Sequence, residues 1–124
     1  MATIKRFEEI HAWKKARELV KEIYRLCETE PLKKDYGLKE QLRRSAVSAM
    51  SNIAEGFARK TNREFAYFLD VAKGSATEVQ SLLYVALDVS YIDQADFDQL
   101  YQLAEETNAM VIVFANYLRQ SPSK

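Results

Sequence analysis

The chain has 124 residues, enough for one domain with a single core. Three glycines and two prolines are too few for the turns of an all-β fold, and 18 basic against 18 acidic side chains leave no net attraction to nucleic acid or an anionic membrane. One cysteine excludes an internal disulfide, the N-terminus has no apolar secretion signal, and no apolar run reaches the ~18 residues of a membrane span, so a cytoplasmic location is expected.

The charge is unevenly placed. Residues 1–37 carry a balance of +2, residues 38–63 of +4 and residues 64–124 of −6. Helix surfaces of opposite sign packing on one another within the domain would account for this, as would solvated faces; a basic face that meets phosphate is the functional alternative.

In chain order, residues 1–8 read as a short arm, with Phe7 placed to fold back. A first helix is expected over 9–27. Ile10, Trp13, Ala16, Val20, Ile23 and Cys27 recur at helical spacing, with Leu19, Tyr24 and Leu26 widening the apolar face. Pro31 lies in the break that follows. Asp35 is suited to cap a second helix over 36–58, and Gly56 near its end permits either close packing or an exit from the helix. Thr61 and Glu64 have capping-box spacing and open a third helix over 62–87. Its core face is Phe65, Phe68, Leu69, Ala72, Ala76, Val79, Leu83 and Ala86. Asp93 and Asp96, with Ile92 and Phe97 at staple spacing, open a fourth helix over 94–118. There Phe97, Leu100, Ala104, Thr107, Val111, Phe114 and Leu118 keep heptad spacing, and residues 121–124 read as a frayed tail.

Four long helices with short joins predict an all-α, antiparallel up-down-up-down four-helix bundle filling residues 1–124 as a single domain. Residues 82–87 and 109–115 are apolar on every side. A free-standing bundle buries one side of each helix, so these two runs predict a subunit interface and a homo-oligomer.

The chemistry-bearing residues point away from catalysis. The lone histidine, His11, and the lone cysteine, Cys27, are several helical turns apart, and Glu8 with His11 matches a Glu-x-x-His pair only once. The glycines, Gly37, Gly56 and Gly74, form no phosphate loop or dinucleotide turn, and no serine is spaced with a base. No enzyme activity, metal, cofactor or small-molecule substrate is expected.

One stretch is different. Gln41, Arg44, Ser48, Asn52, Glu55 and Arg59 recur every three or four residues and occupy a strip roughly 80° wide beside the apolar stripe of the second helix. These are directional hydrogen-bonding groups rather than the Lys and Glu that solubility alone requires. Antiparallel pairing about the join sets Arg44 opposite Ser75, with Glu78 a turn away, and Gln41 opposite Glu78. The strip is expected to be a polar seam within or between subunits, with a solvated face or a ligand surface as alternatives. Arg43, Arg59, Lys60 and Arg63 are the candidate nucleic-acid contacts, Arg59, Lys60 and Arg63 at the join of the second and third helices; the bland reading is a solvated turn.

Phe7 with Trp13 and Ala16, the run from Tyr36 to Arg59, the segment from Glu64 to Leu69 and the segment from Ala72 to Glu78 together resemble the bacterial four-helix bundle family, also called the 23S rRNA intervening-sequence protein family. The most specific part is Ser-x-x-x-Asn-Ile-Ala-Glu-Gly, from Ser48 to Gly56. The resemblance implies a four-helix bundle that forms a ring-like homopentamer, encoded in some cases within an intervening sequence of large-subunit rRNA genes. A related branch accompanies diversity-generating retroelements, where the pentamer associates with nucleic acid and a reverse transcriptase; this chain departs from that branch in being neutral overall. The residues that mark the family match here at Gln41, Arg44, Ser48, Asn52, Glu55, Gly56, Arg59, Ser75 and Glu78. The resulting expectation is a non-catalytic homo-oligomeric interaction protein, with a module binding structured RNA or DNA as the alternative.

Overall fold

The computed structural model describes residues 3–121. The first two residues of the expected arm and the last three of the expected tail lie outside them. Four long helices carry the fold: α1 (His11–Cys27), α2 (Tyr36–Phe57), α3 (Asn62–Asp88) and α4 (Gln94–Gln120). Short 3₁₀ turns at Phe7–Glu9 and Leu32–Lys34 precede α1 and α2. The first of these displaces the expected start of α1 by two residues, and it lays Phe7 edge-on against Trp13 with ring centroids 5.1 Å apart.

The starts of α2, α3 and α4 each have a local cause. Asp35 Oδ1 accepts from the backbone N–H of Leu38 at 3.1 Å, Thr61 Oγ1 from that of Glu64 at 3.1 Å, and Asp93 Oδ1 from that of Asp96 at 2.8 Å. Each occupies a donor that has no partner inside its helix, which stabilises the start by about 1 kcal/mol. The Thr61 hydroxyl also donates to the Glu64 carboxylate, at 3.3 Å. Ile92 and Phe97 are both buried on either side of the Asp93 cap, as a hydrophobic staple requires. α3 ends at Asp88, one residue past the expected 87, but the closure that ends it has no signature in the residue types. Ser90 takes a left-handed conformation, φ 66°, and Tyr91 N–H donates back to the Ala86 carbonyl at 2.8 Å. This six-to-one closure normally selects Gly or Asn.

α2 and α4 each flank both α1 and α3. Gly56 late in α2 meets Phe65 early in α3, while Ser48 meets Ser75. In the same way Thr77 meets Asn108 and the later Gln80 meets the earlier Glu105. Both helix pairs therefore run in opposite directions. The Tyr91 hydroxyl, in the α3–α4 turn, donates to Asp35 Oδ2 at 3.2 Å and ties that turn to the start of α2.

The interior divides into two clusters along the bundle. Leu19, Ile23, Leu42, Val79, Leu83 and Leu100 lie in the one nearer the α3–α4 turn. Trp13, Ile53, Phe65, Leu69, Val111 and Leu118 lie in the other. Each fully buried Leu or Ile contributes about 1.5–3 kcal/mol relative to exposure. Tyr24 departs from expectation. It is 44% exposed, at the outer edge of the α1–α2 contact, with the Arg43 guanidinium 5.3 Å from its ring centroid.

The two all-round apolar runs are half in and half out. Leu83, Ala86, Val111 and Ala115 are buried, whereas Tyr84, Val85, Met110 and Ile112 are exposed and Val113 is 70% exposed. No helix among the described residues is long and apolar enough to cross a membrane.

Candidate functional site

The site grows from a close approach of α2 to α3. A Cβ on Gly56 would stand 2.8 Å from Phe65 Cδ1 and 2.9 Å from Phe68 Cβ, so only glycine lets these helices meet there. Of the two roles open to Gly56, this is close packing; its backbone stays helical. Two turns back along α2, Ser48 Oγ lies 2.8 Å from Ser75 Oγ of α3. Asn52 Nδ2 donates to the Ser48 carbonyl at 2.8 Å and to Ser48 Oγ at 3.1 Å. Ser48, Asn52 and Ser75 are half-buried, so small hydroxyl and amide groups close the middle of the groove without a wide gap.

The ends of the strip behave differently. Gln41, Arg44, Glu55 and Arg59 are exposed. Arg59 donates to Glu55 Oε2 at 2.7 Å and lies 4.4 Å over the Phe68 ring. The expected pairing of Arg44 with Ser75 is displaced: Ser75 meets Ser48, one turn further along α2. The physical reason is Gly56, where the two phenylalanines of α3 lock the helix pair. Among the described residues Arg44 forms no ion pair and Glu78 forms none.

The four candidate nucleic-acid contacts are not one cluster. Arg43 is near the start of α2, over Tyr24 and 3.4 Å from Glu40, while Arg59 is just beyond its end. The helix from Arg43 to Phe57 alone spans about 21 Å. Arg59 is already held by Glu55 and Phe68. Lys60 and Arg63 are exposed and have no ion-pair partner among the described residues.

Two surface hollows complete the picture. One, of about 370 Å³, is lined by Tyr24, Glu40, Arg43, Arg44, Val47 and Ser48. It joins the outer strip to the α1–α2 edge, a juxtaposition that no single helical pattern contains. The other, about 700 Å³, is a mainly apolar groove between the start of α1 and α4, with Ile4, Ile10, Met110, Val113 and Tyr117 in its lining. Its signal in the sequence is the apolar run at 109–115. Among the described residues no three His, Cys, Asp or Glu are placed to hold a metal ion. The Cys27 thiol is buried, and desolvation pushes its pKa up to about 11, against the nearby positive charge of Arg43 and Lys39. That leaves little thiolate to act as a nucleophile near neutrality.

The model of the family described as 23S rRNA-intervening sequence protein matches residues 8–113. The chain belongs to that family. A solved structure, a protein of unknown function from the S23 ribosomal protein family of Bacteroides thetaiotaomicron, superposes with a TM-score of 0.77. The superposition covers 84% of this chain and 97% of the other at 22% identity, which shows a common fold. Comparison with curated proteins gives no match. In this intervening-sequence family member the motif from Ser48 to Gly56 has a visible structural purpose. Ser48 and Asn52 hydrogen-bond in the groove, Ile53 is fully buried, and Gly56 sets the distance to α3.

Proposed function

We propose that the protein is a non-catalytic, cytoplasmic interaction protein that works as an assembly of its own copies. The observation that carries this reading is the apolar surface one chain leaves in water. Val113 is 70% exposed, Val89 51%, Tyr84 50% and Val85 46%, all on α3, its end or α4. Burial of such surface against another copy removes it from water at roughly 25 cal/mol per Å². The resemblance to the family supports five copies. Light scattering after size exclusion tests the reading: a mass several times 14.3 kDa is expected, and a monomer at micromolar concentration overturns it.

A second reading, binding of structured RNA or DNA, is favoured by Lys60 and Arg63. They are exposed beside the N-terminus of α3, where the free N–H groups of a helix also attract phosphate.

A further inference from the structure

Charge is divided between the two halves of this molecule. Residues 74–118 contain seven acidic side chains and no lysine or arginine. Among the described residues only one of the seven, Glu106, has a cation within reach, Lys15 of α1 at 3.4 Å. Residues 33–44 carry five cations against Asp35 and Glu40; Lys33 pairs with Glu28 and Arg43 with Glu40, Asp35 is engaged by Leu38 N–H and the Tyr91 hydroxyl, and Lys34, Lys39 and Arg44 have no ion pair among the described residues. Pairing within the chain therefore does not explain the segregation.

The two charged surfaces are matched in position. α2 and α4 each lie between α1 and α3, so the α1–α2 surface and the α3–α4 surface are on opposite sides and do not meet within one chain. Both charge concentrations sit at the same end of the bundle, because the α3–α4 turn touches the start of α2 through Tyr91 and Asp35. Each surface also holds exposed apolar groups. Tyr24 and Val47 flank Arg43 and Arg44 around the 370 Å³ hollow. On the other side Tyr84 lies against Phe97 and Tyr101 on α4, the helix that carries Asp98 and Glu105.

We propose that copies of this chain pack head to tail, with the basic α1–α2 surface around Arg43 and Arg44 seated on the acidic α3–α4 surface around Asp98 and Glu105 of the next copy. This rests on the assembly reading above and names the faces that make it. The occupant is a second copy rather than a polyanion, because the chain is neutral and a second copy complements both faces, whereas a polyanion would be repelled by one of them. Such a contact is heterologous, the kind from which rings are built.

The test is a charge swap followed by light scattering and circular dichroism. Arg43→Glu with Arg44→Glu, and separately Asp98→Lys with Glu105→Lys, are each expected to weaken assembly on the order of a hundredfold, with helicity retained. The chain carrying all four changes presents both faces with signs reversed and is expected to regain the wild-type mass. If the first pair disturbs folding, Arg44→Glu alone serves, since Arg44 is exposed. Wild-type assembly is also expected to loosen about tenfold or more from low to high salt. An assembled wild type whose mass is unchanged by both double reversals and by salt overturns the head-to-tail contact, and so does a four-fold variant that stays dissociated while folded. Loss of RNA binding with an intact assembly in the Arg43, Arg44 variant assigns the basic face to nucleic acid and also overturns it. A monomeric wild type defeats the assembly reading itself, a different outcome from these.

Discussion

Ser48 Oγ and Ser75 Oγ lie 2.8 Å apart across the groove between α2 and α3, and Asn52 Nδ2 reaches the same Ser48 hydroxyl at 3.1 Å. The hydrogen bonds of the family motif thus close inside one chain, while the charged positions at the ends of the same strip face outward. The contrast separates two sets of side chains that helical spacing places together.

Ser48→Ala and Ser75→Ala should each cost about 0.5–1.5 kcal/mol, with a coupling of several tenths of a kcal/mol in the double-mutant cycle. Arg44→Ala and Glu78→Ala should be additive and below ~1 kcal/mol in unfolding of the dissociated chain. Urea denaturation of the four single and two double variants checks both. Coupling between Arg44 and Glu78 in the dissociated chain would refute the assignment.

The helical glycines Gly56 and Gly74 should respond with opposite sign. Alanine at Gly56 puts a Cβ within 3 Å of Phe65 and Phe68. Overpacking of about 1–3 kcal/mol outweighs the gain of up to ~1 kcal/mol in helix propensity, so stability falls. Alanine at Gly74 meets nothing within 4 Å, so the propensity gain stands alone and stability rises by about 0.5–1 kcal/mol. Thermal or urea unfolding of both variants is the measurement.

The Cys27 thiol carries a pH signature. Its folded pKa is about 11, against 9.0 for the ordinary thiol. The unfolded chain loses this proton first, so it binds fewer protons than the folded chain above pH 9 and stability falls as pH rises toward 11. Below pH 9 both states keep the proton and the group has no effect. Stability curves of the wild type and Cys27→Ala should diverge in that window by about 2 kcal/mol. Parallel curves would remove the buried thiol as the cause.

If Lys60 and Arg63 meet phosphate, the protein binds structured RNA or DNA weakly at low salt, with affinity falling as salt rises. Lys60→Ala with Arg63→Ala should lower both the affinity and the salt slope, by about one to two counterions. Filter binding or fluorescence anisotropy reads both. No binding to either polymer at low salt retires the second reading.

Four helices, the N-terminal caps of three of them and most of the core were legible in the residues themselves. A cap such as Asp35 or Thr61 acts on an N–H three residues away, and a core position such as Ile53 repeats with the helical turn. These are short-range rules that a linear pattern contains. The polar strip was visible for the same reason. Its partners were not, because the pairing of α2 with α3 depends on a contact between distant residues. Gly56 against Phe65 and Phe68 shifted the pairing by a turn, brought Ser48 rather than Arg44 to Ser75, and left Arg44 without an ion pair among the described residues. Tertiary structure also decided that Tyr24 lies outside under Arg43 and that the basic and acidic surfaces are on opposite sides of the bundle. One helix specifies which residues share its face; only the packing of several, through contacts between distant residues, specifies what that face meets.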